Sequence, residues 1–241
     1  MASRSLVSML VEPRVVCQPR TLRSPANLSV TEFARLSPRD LSPVRRGIPR
    51  RGSRSFVGFW WFASTGAHVG FGSLRERDVL MALDFEGDVV EVERDPVEIL
   101  RPRGERTPVP CPWLFVRRCD GSRVLVVHAT AAGVATLAHA FEGTEVSVAS
   151  PGLPDPAQLK TIRWLAGFRF SRCRPPVDLE REVLEMCVDG RRIADVSGYL
   201  SERLKDLDLA RIGTYALIWH RLLVLADRDS PLSEMSVVVA R

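Results

Sequence analysis

The chain has 241 residues, 45% of them hydrophobic, and a formal net charge of +5 at pH 7. This length fits one domain of ordinary size with a small second one, and the apolar content allows a core. Five cysteines without a Cys-x-x-Cys pair exclude a disulfide framework or a zinc site, and the short apolar runs exclude a membrane span, so we expect a cytoplasmic protein.

Residues 1–55 are predicted to form a mostly disordered basic arm. They hold eleven arginines and three acidic residues, a balance of +8, whereas the rest of the chain carries −3. Such a composition buries too little apolar surface to offset the entropy lost on ordering. The arginines Arg45, Arg46, Arg50 and Arg51 suggest contacts to DNA phosphates. An unselected leader or a mis-assigned start codon is the alternative that stays open.

Aromatic residues and glycines dominate the next segment, which leads into a helix. Phe56–Phe62 predicts a core-covering or edge strand, in which Trp60 and Trp61 face opposite sides, so at most one of them could stack on a base. A helix is then predicted over Leu74–Leu83. Its Ser73 and Glu76 match a capping box, but a carboxylate in a first turn could also face a cleft as a metal ligand.

Strands follow this helix. The predicted elements are strands at Val89–Glu93, Trp113–Arg118 and Arg123–His128, a hairpin turn at Asp120–Gly121, a helix at Ala131–Phe141 and a strand at Glu145–Val148. The order helix, three strands, helix, strand is that of a restriction-endonuclease-like core, an α/β sandwich with a mixed sheet. Many other α/β folds share this order.

The C-terminal part predicts a winged-helix-like α+β domain over residues 177–241. After a helix at Ala157–Phe168, the predicted elements are helices at Asp178–Val188, Ile193–Leu204 and Leu209–Leu222 and strands at Leu223–Leu225 and Met235–Val239. In such a domain the third helix, with Arg211 and Arg221, would enter the major groove, and Arg228 would lie on the wing. This helix is rich in Leu, Ile, Trp and Tyr, so partner docking is the favoured alternative.

Four motifs between Phe56 and Asp95 resemble a known family. They read Phe-x-Gly-x-Trp-Trp, Thr-Gly-x-His-Val-Gly, Ser-Leu-x-Glu-Arg-Asp-x-Leu-Met-x-Leu-Asp-Phe and Asp-Val-Val. In this order and spacing they are similar to the TnsA-like endonuclease subunit of heteromeric transposases, in its actinobacterial form. Thr161–Phe168 and the chain end from Trp219 show the same likeness. The resemblance implies a nuclease core over residues 56–170, DNA nicking at transposon ends with Mg²⁺, and a separate DDE-type transposase as partner.

The resemblance also assigns four catalytic positions. The family places a Glu on the first helix, an Asp after a proline at a strand start, and a carboxylate or amide followed two residues later by a Lys on the next strand. Glu76 fits the first position, whereas Trp113, Val127 and Ala129 occupy the other three. An indole and two aliphatic groups cannot bind a hard cation, so we expect Glu76 as the single retained metal ligand and impaired cleavage.

Other residues near these positions offer no clear replacement. His128 lies between the two altered positions of its strand, so in a regular strand it points to the opposite face and is interpreted as structural. Glu98 and Glu105 could approach only if the loop before the strand folds over. A TnsA-like nuclease, a non-catalytic DNA- or transposase-binding subunit, and an unrelated winged-helix regulator are the three hypotheses, and the residues favour the second.

Overall fold

The computed structural model describes residues 13–45, 56–100 and 111–241 of a mixed α/β protein. These residues divide into two compact units. Unit 1 contains the described residues up to Phe59, His68–Ser73 and Asp88–Gly152, and unit 2 contains Trp60–Ala67, Leu74–Gly87 and Leu153–Arg241. Unit 2 is thus larger than the predicted C-terminal domain. No helix among the described residues combines the length and the apolar character needed to cross a membrane.

A four-stranded sheet in unit 1 is built around its first strand. The elements are β1 (Arg14–Pro19), β2 (Ala26–Ser29), α1 (Val30–Ala34), β3 (Leu41–Ser42) and β7 (Val97–Ile99). β1 pairs antiparallel with β2, β3 and β7. α1 begins with a capping box, in which the Ser29 hydroxyl accepts from the Glu32 N–H and the Glu32 carboxylate accepts from the Ser29 N–H.

A mixed sheet forms the other part of unit 1. Its strands are β6 (Val89–Arg94), β8 (Pro112–Arg118), β9 (Arg123–Val127) and β10 (Val146–Ala149), in the order β10-β9-β8-β6. β9 and β10 are parallel and the other pairs are antiparallel. The parallel pair needs a crossover, which α3 (Ala131–Ala140) supplies. The predicted turn between β8 and β9 is confirmed, with Gly121 at φ +85°.

The prediction of a mostly disordered arm is wrong for residues 13–45. Val15, Cys17, Phe33 and Leu41 are fully buried in one cluster with residues of β8, β9 and α3. Burial raises the pKa of the Cys17 thiol to about 11. The composition of the whole segment hid a local pattern, because alternate residues of β1 are apolar and bury one face of the strand. Arg46, Arg50 and Arg51 lie outside the described residues.

The aromatic segment forms a hairpin of β4 (Gly58–Phe62) and β5 (Ala67–Phe71). The strand prediction is confirmed, together with its alternation. Trp60 and Phe62 are buried, whereas Phe59 is 75% exposed. The aromatic residues on one face of β4 are therefore buried in the core, whereas Phe59 on the other face is exposed to solvent.

Unit 2 is mostly helical. Its elements are α2 (Leu74–Glu86), α4 (Pro156–Leu165), a 3₁₀ turn (Ala166–Phe168), α5 (Val177–Met186), α6 (Ile193–Leu204), α7 (Leu207–Trp219) and the strands β11 (Arg191–Arg192), β12 (Leu223–Leu225) and β13 (Val237–Ala240). The strands form an antiparallel sheet in the order β11-β13-β12. The three C-terminal helices and the last two strands were predicted, whereas β11 was not.

One helix start in unit 2 differs from the prediction. α7 begins at Leu207, although Leu207 and Asp208 were expected to separate two helices. The Asp206 carboxylate accepts hydrogen bonds from the N–H groups of Asp208 (2.9 Å) and Leu209 (3.0 Å). It thereby caps the helix two residues earlier than the apolar pattern indicates.

Candidate functional site

The four family-derived catalytic positions fall in both units. Glu76 lies in the first turn of α2 and belongs to unit 2. Trp113, Val127 and Ala129 belong to unit 1, where they lie at or next to the paired ends of β8 and β9. In the register of this pair Pro112 faces Val127 and Leu114 faces Val126, so Trp113 is the extra residue of a β-bulge. The structure brings the three substituted positions together at one end of the hairpin.

Trp113 is a packed residue. Its side chain is 5% exposed, and its ring centroid lies 4.7 Å from that of His128 at an interplanar angle of 30°. The indole Nε1 atom is buried and has no hydrogen-bond partner in the described part of the chain. His128 itself follows the end of β9 and is exposed, so its ring covers the tryptophan from the solvent side. A tryptophan stacked in this way fills the space that an aspartate would leave open.

Val127 and Ala129 also belong to the packing of unit 1. Val127 is fully buried in the cluster that contains Phe115 and Leu125, and Ala129 packs against the same cluster while remaining partly exposed. A glutamine or a carboxylate at Val127 would put an unpaired polar group into this cluster. Trp113 and Val127 are therefore both buried packing residues of unit 1.

These residues do not fit the Mg²⁺ ion that the resemblance implies. Hard divalent cations take oxygen ligands, which Trp113, Val127 and Ala129 cannot supply with their side chains. Across residues 13–45, 56–100 and 111–241, no three His, Cys, Asp or Glu side chains are grouped closely enough to hold a metal ion. The Glu98 carboxylate pairs with Arg45 at 3.2 Å, and Glu105 lies outside the described residues.

Sequence reasoning missed a buried carboxylate in the TnsA-like helix motif. Asp84 of α2 is 3% exposed and accepts hydrogen bonds from the Trp60 indole N–H (3.1 Å) and from the backbone N–H groups of Ala63 (2.9 Å) and Ser64 (3.3 Å). Burial raises the pKa of this carboxyl, against the lowering effect of the three bonds. The position of Asp84 between Leu83 and Phe85 could have indicated a buried carboxylate. A charged group among apolar residues is rarely buried unless it has a hydrogen-bond or charge partner. The arrangement ties α2 to the turn after β4 and is structural.

A second buried carboxylate joins two helices of unit 2. Asp78 of α2 is 4% exposed and accepts from the Arg163 guanidinium of α4 through Nε (3.2 Å) and Nη2 (2.6 Å). Arg77 donates to the same carboxylate at 3.1 Å. Burial raises the pKa of Asp78, but the bonds and charges of the two arginines outweigh burial, and the net shift is downward. The ionised form is therefore favoured by the folded state.

Replacement of Asp78 by asparagine should lower the free energy of unfolding by an amount that depends on pH. A lowered carboxyl pKa stabilises the fold above the ordinary value of 3.8, and this stabilisation is lost as the pH falls through the folded-state pKa. We expect Asp78→Asn to lower the free energy of unfolding by about 1–3 kcal/mol at pH 7 and by less at pH 3. Urea unfolding at both pH values measures the difference. Asp178→Asn, at an exposed carboxylate of α5, is the matched control, and an equal cost of Asp78→Asn at both pH values would contradict the assignment.

The arginines predicted to bind DNA have different surroundings. Arg45 pairs with Glu98, and Arg211 pairs with Glu234 at 2.6 Å. Arg221 donates to the Glu86 carbonyl oxygen at 3.0 Å, and both Arg221 and Arg228 line one small cavity of unit 2. The structure therefore brings two of the predicted arginines together and binds two others in ion pairs.

The helix predicted to read the major groove is largely enclosed. All residues of α7 from Gly213 to Trp219 are buried, and Trp219 packs against Trp60 and Phe85 with ring centroids 6.5 Å and 5.3 Å away. The exposed first turn presents Leu207, Asp208 and Leu209. A recognition helix reads bases mainly with its N-terminal residues, and an acidic, apolar turn repels phosphates. The surroundings of α7 thus favour docking over base reading.

Comparison with known proteins found no family model and no curated protein sequence that matches the chain. The resemblance to TnsA-like subunits rests on the motifs between Phe56 and Asp95 and on two later segments. The first four motifs lie in β4, in β5 with the turn before it, in α2 and at the start of β6. The later segments lie in α4 with its 3₁₀ turn and in the chain from the end of α7 through β12 to β13.

Proposed function

We propose that this chain is a non-catalytic, TnsA-like subunit of a heteromeric DNA transposase, which binds the DDE-type transposase or DNA and does not hydrolyse DNA. The observation that most strongly supports this proposal is the packing of Trp113. At the position of the expected catalytic aspartate, a tryptophan that is 95% buried stacks on His128. A side chain so placed can neither bind a metal ion nor leave room for one.

The element order supports the nuclease-like ancestry that the proposal assumes. α2, β6, β8, β9, α3 and β10 occur in the order helix, three strands, helix, strand, and these four strands form one mixed sheet, whereas β7, which lies between β6 and β8 in the chain, pairs with β1 in the other sheet. This is the order of a restriction-endonuclease-like core. The bulge at Trp113 supports it further, because β-bulges are common beside active sites, where they redirect a side chain.

The C-terminal elements support a winged-helix-like region that docks a protein. Three helices, α5 to α7, precede the hairpin of β12 and β13, as in a winged helix. Its third helix is enclosed on most of its surface, and the exposed first turn carries Asp208 between two leucines. Apolar residues beside an acidic one suit a protein partner better than a phosphate backbone. A transposase subunit is the partner that the resemblance implies.

We expect the native chain to show no nicking of supercoiled plasmid with Mg²⁺ or Mn²⁺, alone or with its cognate transposase. The reason is that Glu76 alone supplies too few ligands for a hard cation. Conversion of supercoiled to open-circular DNA on agarose gels measures the activity. Glu76→Ala is the matched variant, and it should behave as the native chain does.

The outcome that overturns this proposal is equally specific. Nicking by the native chain that is lost in Glu76→Ala would mean that other residues complete a metal site with Glu76. Co-purification with the transposase tests the binding half of the proposal separately. A neighbouring gene set without an integrase-type transposase would argue against a transposition role.

A further inference from the structure

An exposed tryptophan borders a cavity of unit 2. Trp164 of α4 is 48% exposed, although tryptophan is usually buried. Tyr215 meets its ring edge-on, with centroids 4.2 Å apart and an angle of 88°, and Phe168 lies 5.1 Å away. These contacts hold the indole in place while much of its surface stays open. A fixed aromatic surface of this kind is a platform on which a flat ring can stack.

The cavity beside Trp164 has the size of a small-ligand site. Its volume is about 520 Å³, which lies within the range of roughly 300–1,000 Å³ for such pockets. Lys160, Thr161 and Ser233 supply hydrogen-bonding groups around the aromatic wall. Glu234 also lines the cavity, and its carboxylate is paired with Arg211 at 2.6 Å. Lys160 is thus the basic residue among the side chains given for this lining, and the acidic residue Glu234 is already paired with Arg211.

A second cavity of unit 2 has two arginines in its lining. It measures about 170 Å³ and shares Thr161 with the first. Arg221 and Arg228 line it together with the acidic residue Glu86, which is exposed and whose backbone carbonyl accepts a hydrogen bond from Arg221. Arg228 is exposed. Thr161 lines both cavities, so the aromatic platform of Trp164 and the two arginines line neighbouring cavities.

We propose that this surface, formed by Lys160, Thr161, Trp164, Tyr215, Arg221 and Arg228, binds single-stranded DNA, with an unpaired base stacked on Trp164 and the phosphates next to it held by the cations. Proteins that hold single strands combine stacking aromatics with a positively charged groove in this way. A paired base cannot offer its face to a ring, so duplex DNA does not fit the platform. The two linings together contain three basic residues and two acidic ones, Glu86 and Glu234, and the Glu234 carboxylate is paired with Arg211. This excess of positive charge favours an anionic ligand, and the stacking platform favours a nucleic-acid base over a peptide segment.

The inference rests on the DNA-binding alternative of the proposed function and names the form of DNA and the surface that binds it, and none of Glu76, Trp113, Val127 and Ala129 takes part in it. Loss of hydrolysis and binding of the transposase concern other residues and other measurements. A failure of single-strand binding would therefore leave the plasmid-nicking and co-purification results unchanged. Likewise, a failure of the plasmid-nicking or co-purification predictions would leave the result for single-strand binding unchanged.

The test is fluorescence anisotropy of a labelled twelve-residue oligothymidylate titrated with the full chain at low salt. We expect Trp164→Ala to weaken binding about tenfold and Trp164→Phe to retain most of it, because phenylalanine still offers a ring. Lys160→Ala and Arg228→Ala should each lower the slope of log K against log salt by about one. Phe59→Ala and Arg181→Ala alter an exposed aromatic and an exposed arginine outside both cavities, and they should bind as the native chain does.

An abasic oligomer of the same length separates stacking from charge. The native chain should bind it about as weakly as Trp164→Ala binds the oligothymidylate. Equal binding of abasic and normal strands, or native affinity in Trp164→Ala, overturns the proposal. The proposal is also overturned if the native chain does not bind the oligonucleotide but binds a transposase peptide through Trp164. Thermal unfolding of each variant shows whether it is folded, and Lys160→Ala, at an exposed position, keeps the test decisive if Trp164→Ala unfolds.

Discussion

Replacement of Trp113 by aspartate is expected to destabilise the protein by at least about 3 kcal/mol and not to restore DNA cleavage. Removing a buried tryptophan side chain alone costs about 3–5 kcal/mol, because a cavity is left behind. An aspartate would add the cost of a carboxylate in the space where Trp113 now contacts His128. Since small proteins are stable by only about 5–15 kcal/mol, much of the margin would be lost. Urea unfolding measures the change.

The matched control is Trp113→Phe, which keeps an apolar ring and should cost much less than the aspartate. The combined variant Trp113→Asp/Val127→Gln/Ala129→Lys, which restores the family residues, should be less stable still, because Val127 is fully buried. If the combined variant instead folds and nicks plasmid DNA while the native chain does not, the packing argument fails. The same result would support the TnsA-like site geometry and the non-catalytic role of the native chain.

Replacement of Asp84 by alanine is expected to lower the free energy of unfolding by about 3–5 kcal/mol. The carboxylate is the acceptor for the Trp60 indole N–H and for the Ala63 and Ser64 backbone N–H groups. Without it, buried donors lose their partners, and each unsatisfied donor costs about 1–3 kcal/mol. Trp60 is 6% exposed, so water cannot fully replace the lost acceptor at its N–H group. Thermal or urea unfolding of Asp84→Ala measures the loss.

Asp84→Asn is the matched control, because it keeps one acceptor oxygen, and it should cost about 1–2 kcal/mol at pH 7. Its pH dependence should be opposite to that of Asp78→Asn. The pKa of Asp84 is raised, so the stability from its protonated form is present below 3.8 and is lost as the pH rises through the folded-state pKa. The deficit of Asp84→Asn should therefore be larger at pH 3 than at pH 7. A deficit that is larger at pH 7 would contradict this pKa shift.

Local patterns in the sequence were sufficient to predict most of the secondary structure. α6 was predicted with its observed bounds, Ile193–Leu204, because the apolar repeat of the helix lies between residues that end it. The β8–β9 hairpin followed from Asp120–Gly121, whose residues favour a tight turn. The separation of Trp60 from Trp61 followed from the alternation of a strand. Such features depend on neighbours within a few residues, so the local order of residues is sufficient to predict them.

The identity of the residues at the catalytic positions that the TnsA-like resemblance implies was also visible in the sequence. Trp113, Val127 and Ala129 cannot bind Mg²⁺ in any fold, since their side chains lack oxygen ligands. Whether they leave an open cleft or fill it depends on residues far away in the chain. The structure shows Val127 in contact with a cluster that includes residues of β1 and α1, and this decided that the site is packed.

Only the tertiary structure decided the state of residues 13–45 and the roles of the buried charges. The average composition of the first 55 residues indicated disorder, but β1 gains a partner in β7, about 80 residues later, and that pairing makes burial of Val15 and Cys17 favourable. In the same way, Asp84 is an ordinary helix residue until Trp60 is placed beside it. The sequence by itself determined the local elements and the lack of oxygen ligands in the side chains of Trp113, Val127 and Ala129. Long-range pairing determined which segments are ordered and which charged residues are buried, because the free energy of burial depends on contacts between distant residues.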